Sequence, residues 1–209
     1  MHRRNLLLGA VTPATFVALA PARAASSARS RPGHDTAPTV RRLLLRHAAT
    51  GARFSGPYHD GRGIDAGALA EISEVLADSR TGTVHAFDPE VLDILWETGQ
   101  RARLRGEFVV VSGFRTPASN AAVCGAGNSQ HLRAGALDVC VAATQIAGFG
   151  KAALDLQRGG VGVYGDRGFV HLDSGPVRRW GDVPGVAGVT APQDPLGRMA
   201  EAWAATRQR

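Results

Sequence analysis

"SQHLRAGALDVCV", residues Ser129–Val141, holds a histidine and an aspartate seven positions apart, with Ala134 and Gly135 between them. Further on, "GFVHLDSG" (168–175) places His171 and Asp173 two residues apart. Side chains two apart on an extended strand face the same way. In "FVHLD", Val170 and Leu172 therefore share one face, and Phe169, His171 and Asp173 share the other. In "ALDVCV", Leu137, Val139 and Val141 take one face and leave Asp138 opposite. Two neighbouring strands of this kind would bury their aliphatic residues against helices. Their open faces would then present Asp138 and His171 to one cleft, with His131 arriving from the preceding loop.

The rest of the chain supplies the frame for such a pair. "VRRLLLRHAATGARFSG" reads as two strands joined around Thr50-Gly51. Asp65 caps a helix on which Leu69, Ile72, Val75 and Leu76 share a face. Asp88-Pro89 is an N-cap and first-turn pair opening a second helix, with Val91, Leu92, Leu95 and Trp96 inward. "FVVVSGF" (108–114) is an apolar run bounded by turn signals, hence a buried central strand, and Thr116-Pro117 starts a short helix. A further helix is expected from Thr144 to the Gly159-Gly160 pair, followed by a hairpin of "VGVYG" and "FVHLD" around Asp166-Arg167-Gly168. This order predicts one α+β domain over residues 39–182, with a small, mainly antiparallel sheet carrying the site and helices packed on it.

Composition bounds the function. The chain has 209 residues, 44% hydrophobic and 20% charged, enough for one ordinary globular domain. Its formal charge is +6, and removing Arg3, Arg4 and Arg23 of the first 24 residues leaves about +3. That mild bias suits an anionic polymer such as a cell wall. No nucleic-acid motif accompanies it.

The opening "MHRRNLLLGAVTPATFVALAPARA" combines paired arginines, an apolar run and a small-x-small end, the pattern of a signal peptide over 1–24. Its arginine pair fits the twin-arginine route, and an uncleaved anchor is the alternative. After cleavage no stable membrane insertion is expected. The chain would work outside the cytoplasm as a monomer. Residues 25–38 read as a disordered linker, and 183–209 as a tail with a short helix over Leu196 to Thr206. In an exported chain the two cysteines, Cys124 and Cys140, favour a disulfide, with two small buried thiols as the alternative. Such a closure would contribute about 3 kcal/mol.

A His, Asp and His trio with an open fourth position is the donor set of a catalytic zinc. The metal acidifies water and polarises a scissile carbonyl. The spacing of His131 and Asp138 alone is a weak signal, because capped turns and satisfied histidines give the same pattern.

Three segments in order strengthen it: "SGFRTPASN", "SQHLRAGALDV" and "GVGVYGDRGFVHLDSGPVRRW". Together they closely resemble the murein endopeptidase K (YcbK-like) family, in the D-alanyl-D-alanine-peptidase branch of the zinc enzymes grouped with lysostaphin and hedgehog. The resemblance covers about residues 39–182. It implies Zn2+ held by His131, Asp138 and His171, and peptidoglycan peptides as substrate. It also implies that Arg115 binds a substrate carboxylate or carbonyl oxygen, a task suited to its two-pronged fork.

The general base is less determined. Relatives carry an acid or histidine shortly before the last ligand, whereas this chain has Gly168 and Phe169 there. Asp173, on the face of His171, is then the candidate catalytic base, the alternative being that it fixes a ligand tautomer. Tyr164 is a candidate for lining the cleft and contacting substrate. Ser129 and Gly135 read as loop and turn residues, Arg178, Arg179 and Trp180 as structural, and His47, His59 and His85 as surface histidines. The family implies an endopeptidase, while its branch also contains D,D-carboxypeptidases, and the compact "CGAGNSQH" (124–131) suits a cleft open at one end. A zinc-containing module that binds the wall without catalysis is the remaining alternative, favoured by the missing acid before His171.

Overall fold

The computed structural model describes residues 39–182. The expected leader, linker and tail with its short helix lie outside the described residues. Within them the chain forms one α+β unit: β1 (Arg41–His47), β2 (Arg53–His59), α1 (Ala66–Val75), α2 (Pro89–Arg101), β3 (Phe108–Ser112), α3 (Pro117–Ala122), a 3-10 turn (Gln130–Arg133), β4 (Ala136–Cys140), α4 (Ile146–Leu154), β5 (Gly160–Tyr164), β6 (Phe169–Asp173) and β7 (Arg178–Gly181). No described helix is long and apolar enough to cross a membrane.

The strands form one sheet in the order β2-β1-β3-β4-β6-β5-β7. It is mixed, which corrects the expectation of a mainly antiparallel sheet. β1 runs parallel to β3 because the chain leaves β2 through α1 and α2 before returning on the other side of β1. β7 runs parallel to β5 because β6 inserts between β4 and β5, leaving only the outer edge of β5 open.

The strands alternate as their composition requires. In β1, Leu43, Leu45 and His47 are buried while Leu44 is 41% exposed. The helix-facing side of the sheet continues through Val110, Val139, Val161 and Val170, all within one apolar core. Against it lie α2, through Val91, Leu92, Ile94 and Leu95, and α4, through Ile146, Phe149 and Ala153. Helix α2 starts as its sequence dictates: the Asp88 carboxylate accepts from Glu90 N at 3.0 Å, and Pro89 needs no donor in the first turn. Asp88 also accepts from Ser174 Oγ at 2.6 Å, so the cap of α2 anchors the segment that follows β6.

Three local expectations change. Helix α4 begins at Ile146 and ends at Leu154, short of Gly159, because Gln157 and Gly159 take left-handed φ values of 53° and 60° that no helix continues. His47 is buried rather than at the surface, since alternation places it on the face of Leu43 and Leu45. Its Nδ1 accepts from Ala49 N at 3.1 Å. His85 is exposed, as expected, with its ring 5.0 Å from Phe114, and His59 is partly buried with Nδ1 accepting from Gly61 N.

The cysteines are not joined. No disulfide joins them, with Cys124 exposed and Cys140 partly buried. Cys140 pairs with Val109 at one end of the β3–β4 ladder, whereas Cys124 follows α3, which leaves from the other end, beside Ser112 and Asp138. The strand between those ends spans roughly 10 Å, beyond what a disulfide bridges. In unreduced, denatured protein both thiols should therefore alkylate, and reductant should leave the melting temperature unchanged. A mass two protons lighter, with neither thiol labelled, would contradict this.

Candidate metal centre

Strands β4 and β6 pair so that Asp138 stands directly opposite His171. On the other flank of β4, Ser112 of β3 is also opposite Asp138, past a bulge between Val110 and Ser112. The open face of the sheet thus carries a row running Ser112, Asp138, His171. The third residue, His131, lies in the 3-10 turn after α3. Arg115 N donates to His131 O at 3.0 Å, tying that turn to the end of β3. The chain escapes the turn through Ala134, buried at a left-handed φ of 53°. Gly135, expected to make this turn, has another use: an added Cβ would stand 2.8 Å from Ser174 Oγ.

One donor atom each from His131, Asp138 and His171 lies within 4.8 Å of the others, and all three residues are buried. The partners behind them fix which atoms those are. His131 Nδ1 is 2.6 Å from Gly113 O, and a carbonyl only accepts, so Nδ1 carries the proton and Nε2 is left with a lone pair. His171 Nε2 donates to Asp173 Oδ2 at 2.9 Å, which turns Nδ1 toward Asp138 Oδ1 at 2.8 Å and His131 Nε2 at 3.3 Å. Burial holds His131 below the usual imidazole range, with the Arg115 charge adding to it and Asp138 opposing it. For His171, burial is outweighed by the carboxylates of Asp138 and Asp173, and its value rises. Two neutral imidazole nitrogens and one carboxylate oxygen, each oriented from behind, suit Zn2+.

Arg115 is part of this cluster rather than a free cation. It is 6% exposed, its Nη2 lies 2.5 Å from Asp138 Oδ2, and its Nε donates to Ser112 Oγ at 2.8 Å. Burial alone would raise Asp138, but His131 and the Arg115 guanidinium pull it well below the carboxylate range. Its loop is fixed by buried Asp78, which accepts from both Thr116 N and Thr116 Oγ1 at 2.8 Å.

Asp173 lies on the far side of the His171 ring from Asp138. It is fully buried behind His171, on the ring nitrogen that faces away from Asp138. Its oxygens also accept from Gly160 N, Gly175 N and both Arg178 Nη atoms. One oxygen holds the ring and both are hydrogen-bonded, an arrangement that matches the tautomer-fixing alternative. Ser129 caps the 3-10 turn without a side-chain bond. Tyr164 is half-buried, stacked on Phe169 at 4.5 Å, and its hydroxyl accepts from Trp180 Nε1 at 2.8 Å. It borders the site through Trp180, whose ring lies 5.2 Å from that of His171. Arg178 and Trp180, assigned to the scaffold by sequence, belong to this cluster.

Residues 35–180 match the family described as peptidoglycan L,D-endopeptidase MepK. The chain belongs to that family. A probable peptidoglycan L,D-endopeptidase MepK of Haemophilus influenzae is 32% identical over 149 residues, covering 68% of this chain and 80% of that protein. The peptidoglycan L,D-endopeptidase MepK of Escherichia coli K12 is 30% identical over 185 residues, 86% of this chain and 97% of that protein.

The Arg115–Asp138 pair gives a test independent of catalysis. Arg115→Met leaves a buried carboxylate without its guanidinium partner, which typically costs about 3–5 kcal/mol. His131 and His171 still contact Asp138, so the expected loss in the metal-free protein is near the lower figure. Urea denaturation in chelator measures it, and an unchanged midpoint would refute the pairing.

Proposed function

We propose that the chain is an exported, zinc-dependent peptidoglycan endopeptidase, with His131, Asp138 and His171 as metal ligands. The observation that carries this reading is the convergence of three buried donors within 4.8 Å, with both imidazoles oriented by partners on their far sides. Family membership supplies the substrate class, and the relatives' names point to a peptide bond between an L and a D centre.

When bound, zinc would polarise the scissile carbonyl and acidify water beside it. The chain's own residues do the rest. His131 and His171 each offer one neutral nitrogen, and Gly113 O and Asp173 keep the other nitrogen protonated. Asp138 supplies negative charge, and Arg115 keeps it ionised. Of the three ligands His171 is the most exposed, at 9% against 2% for the others, so substrate approaches on its side. Trp180 and Tyr164 border that approach.

One observation favours a second reading, a zinc-holding module that binds wall peptides without cutting them. Gly168 and Phe169 offer no base, and Asp173 is engaged behind the ring. Digestion separates the two. Purified protein should hold one zinc, lose it in His171→Ala, and cleave cross-linked muropeptides in a reaction that chelator stops and zinc restores. Intact muropeptides bound but never cut would favour the module, and zinc retained in His171→Ala would overturn the ligand assignment.

Asp173→Asn tests the carboxylate behind His171. Removing such a support typically weakens metal binding about 10–100-fold. Cleavage should fall at limiting zinc and return at saturating zinc. A loss that saturating zinc does not repair would make Asp173 the base after all.

A further inference from the structure

The row that carries Asp138 and His171 continues outward. Gly162 of β5 stands opposite His171, and Trp180 of β7 stands opposite Gly162. Two residues earlier on β5, Gly160 lies between Asp173 and Arg178. Both glycines are on the open face of the sheet, two apart on one strand, and neither has a positive φ. Backbone freedom is therefore not what requires glycine here. Close approach is.

A Cβ at Gly162 would stand 2.5 Å from both Cε2 and Nε1 of Trp180. A Cβ at Gly160 would stand 2.9 Å from Arg178 Cζ and would also strike Asp173 Oδ2. The missing side chains open a trough across β5. Through it two residues of β7 reach over a whole strand to β6. Arg178 grips the Asp173 carboxylate with Nη2 at 2.7 Å and Nη1 at 3.1 Å. Trp180 places its indole against the His171 ring at 5.2 Å between centroids. The indole is itself fixed at both ends: Nε1 donates to the Tyr164 hydroxyl, and the Arg178 guanidinium lies 5.2 Å over its ring.

We propose that Trp180, admitted across β5 by Gly162, is a positioning residue that sets the plane of His171 at the metal site. Asp173 and Asp138 hold the two ring nitrogens but leave the ring plane to be set about the line joining them. The indole removes this freedom by packing on the ring's flank, as Arg178 fixes Asp173 through the neighbouring gap at Gly160. The inference rests on the ligand role proposed above for His171.

The test is a double-mutant cycle on zinc affinity, read by chelator competition with no substrate present. Gly162→Ala fills the trough and displaces the indole. Trp180→Ala removes the indole. Each should weaken zinc binding about tenfold, the lower end of the effect of outer supports on a metal. The double variant should bind no worse than Trp180→Ala alone, because the indole that the added methyl would strike is then gone. Trp180→Phe keeps a flat ring and should stay within about threefold of wild type. Losses that multiply in the double variant, or single variants with wild-type affinity and only a lower melting temperature, would overturn the proposal. Wild-type protein that binds no zinc would overturn the ligand assignment itself, which sets that failure apart.

Discussion

Direct pairing of Asp138 with His171 across β4 and β6 is the constraint on which the site depends. Each side chain alone is a polar group on the open face of a strand. Opposed, with His131 beside them, they form a buried cluster that needs a cation in its midst and counter-charges around it. The surroundings meet both needs. Arg115 lies against Asp138, and Arg178 against Asp173. In the absence of metal, His171 itself is pushed toward its charged form. Burying so many polar groups is tolerable only because nearly every lone pair and proton has a partner.

The layering follows from the same alternation. Val170 and Leu172 point to the helices and bring β6 into the core, and this fixes where His171 and Asp173 must point. Packed on the opposite side, α2 and α4 decide which face of the sheet remains free for chemistry. The Asp88 cap serves both layers, since it starts α2 and receives Ser174 just past Asp173. Family membership fits a scaffold of this kind, in which short, well-registered strands and one tight turn hold the donors.

Much of this was legible in the sequence. Period-two alternation in "ALDVCV" and "FVHLD" placed the right residues on the open face, and Asp88-Pro89 marked the start of α2. Strand order was not legible, because β6 slips between β4 and β5, and such insertion depends on non-local pairing that no local pattern encodes. The parallel β5–β7 edge follows from it. The expected disulfide failed for a related reason: sixteen residues of separation says nothing about which ends of a ladder the two cysteines occupy. Asp173 was recognised as important, but strand phase fixes only a face. It does not tell whether a carboxylate stands before a ring or behind it. The support from β7 did leave a signal. Glycines two apart in "GVGVY" and large residues two apart in "RRWG" share the period of the strand they face.

The exact opposition of Asp138 and His171 also makes a bound cation a reporter of strand alignment. A slip of β6 by one residue would turn His171 and Asp173 toward the helices and Val170 and Leu172 toward solvent. No such misaligned state could share a cation between β4 and β6, so binding would favour the aligned state alone. At a thousandfold excess of ligand over its dissociation constant, that preference amounts to about 4 kcal/mol. For a member of this endopeptidase family, the ion would act as a staple between two strands as much as a reagent, in a chain where no disulfide joins Cys124 to Cys140.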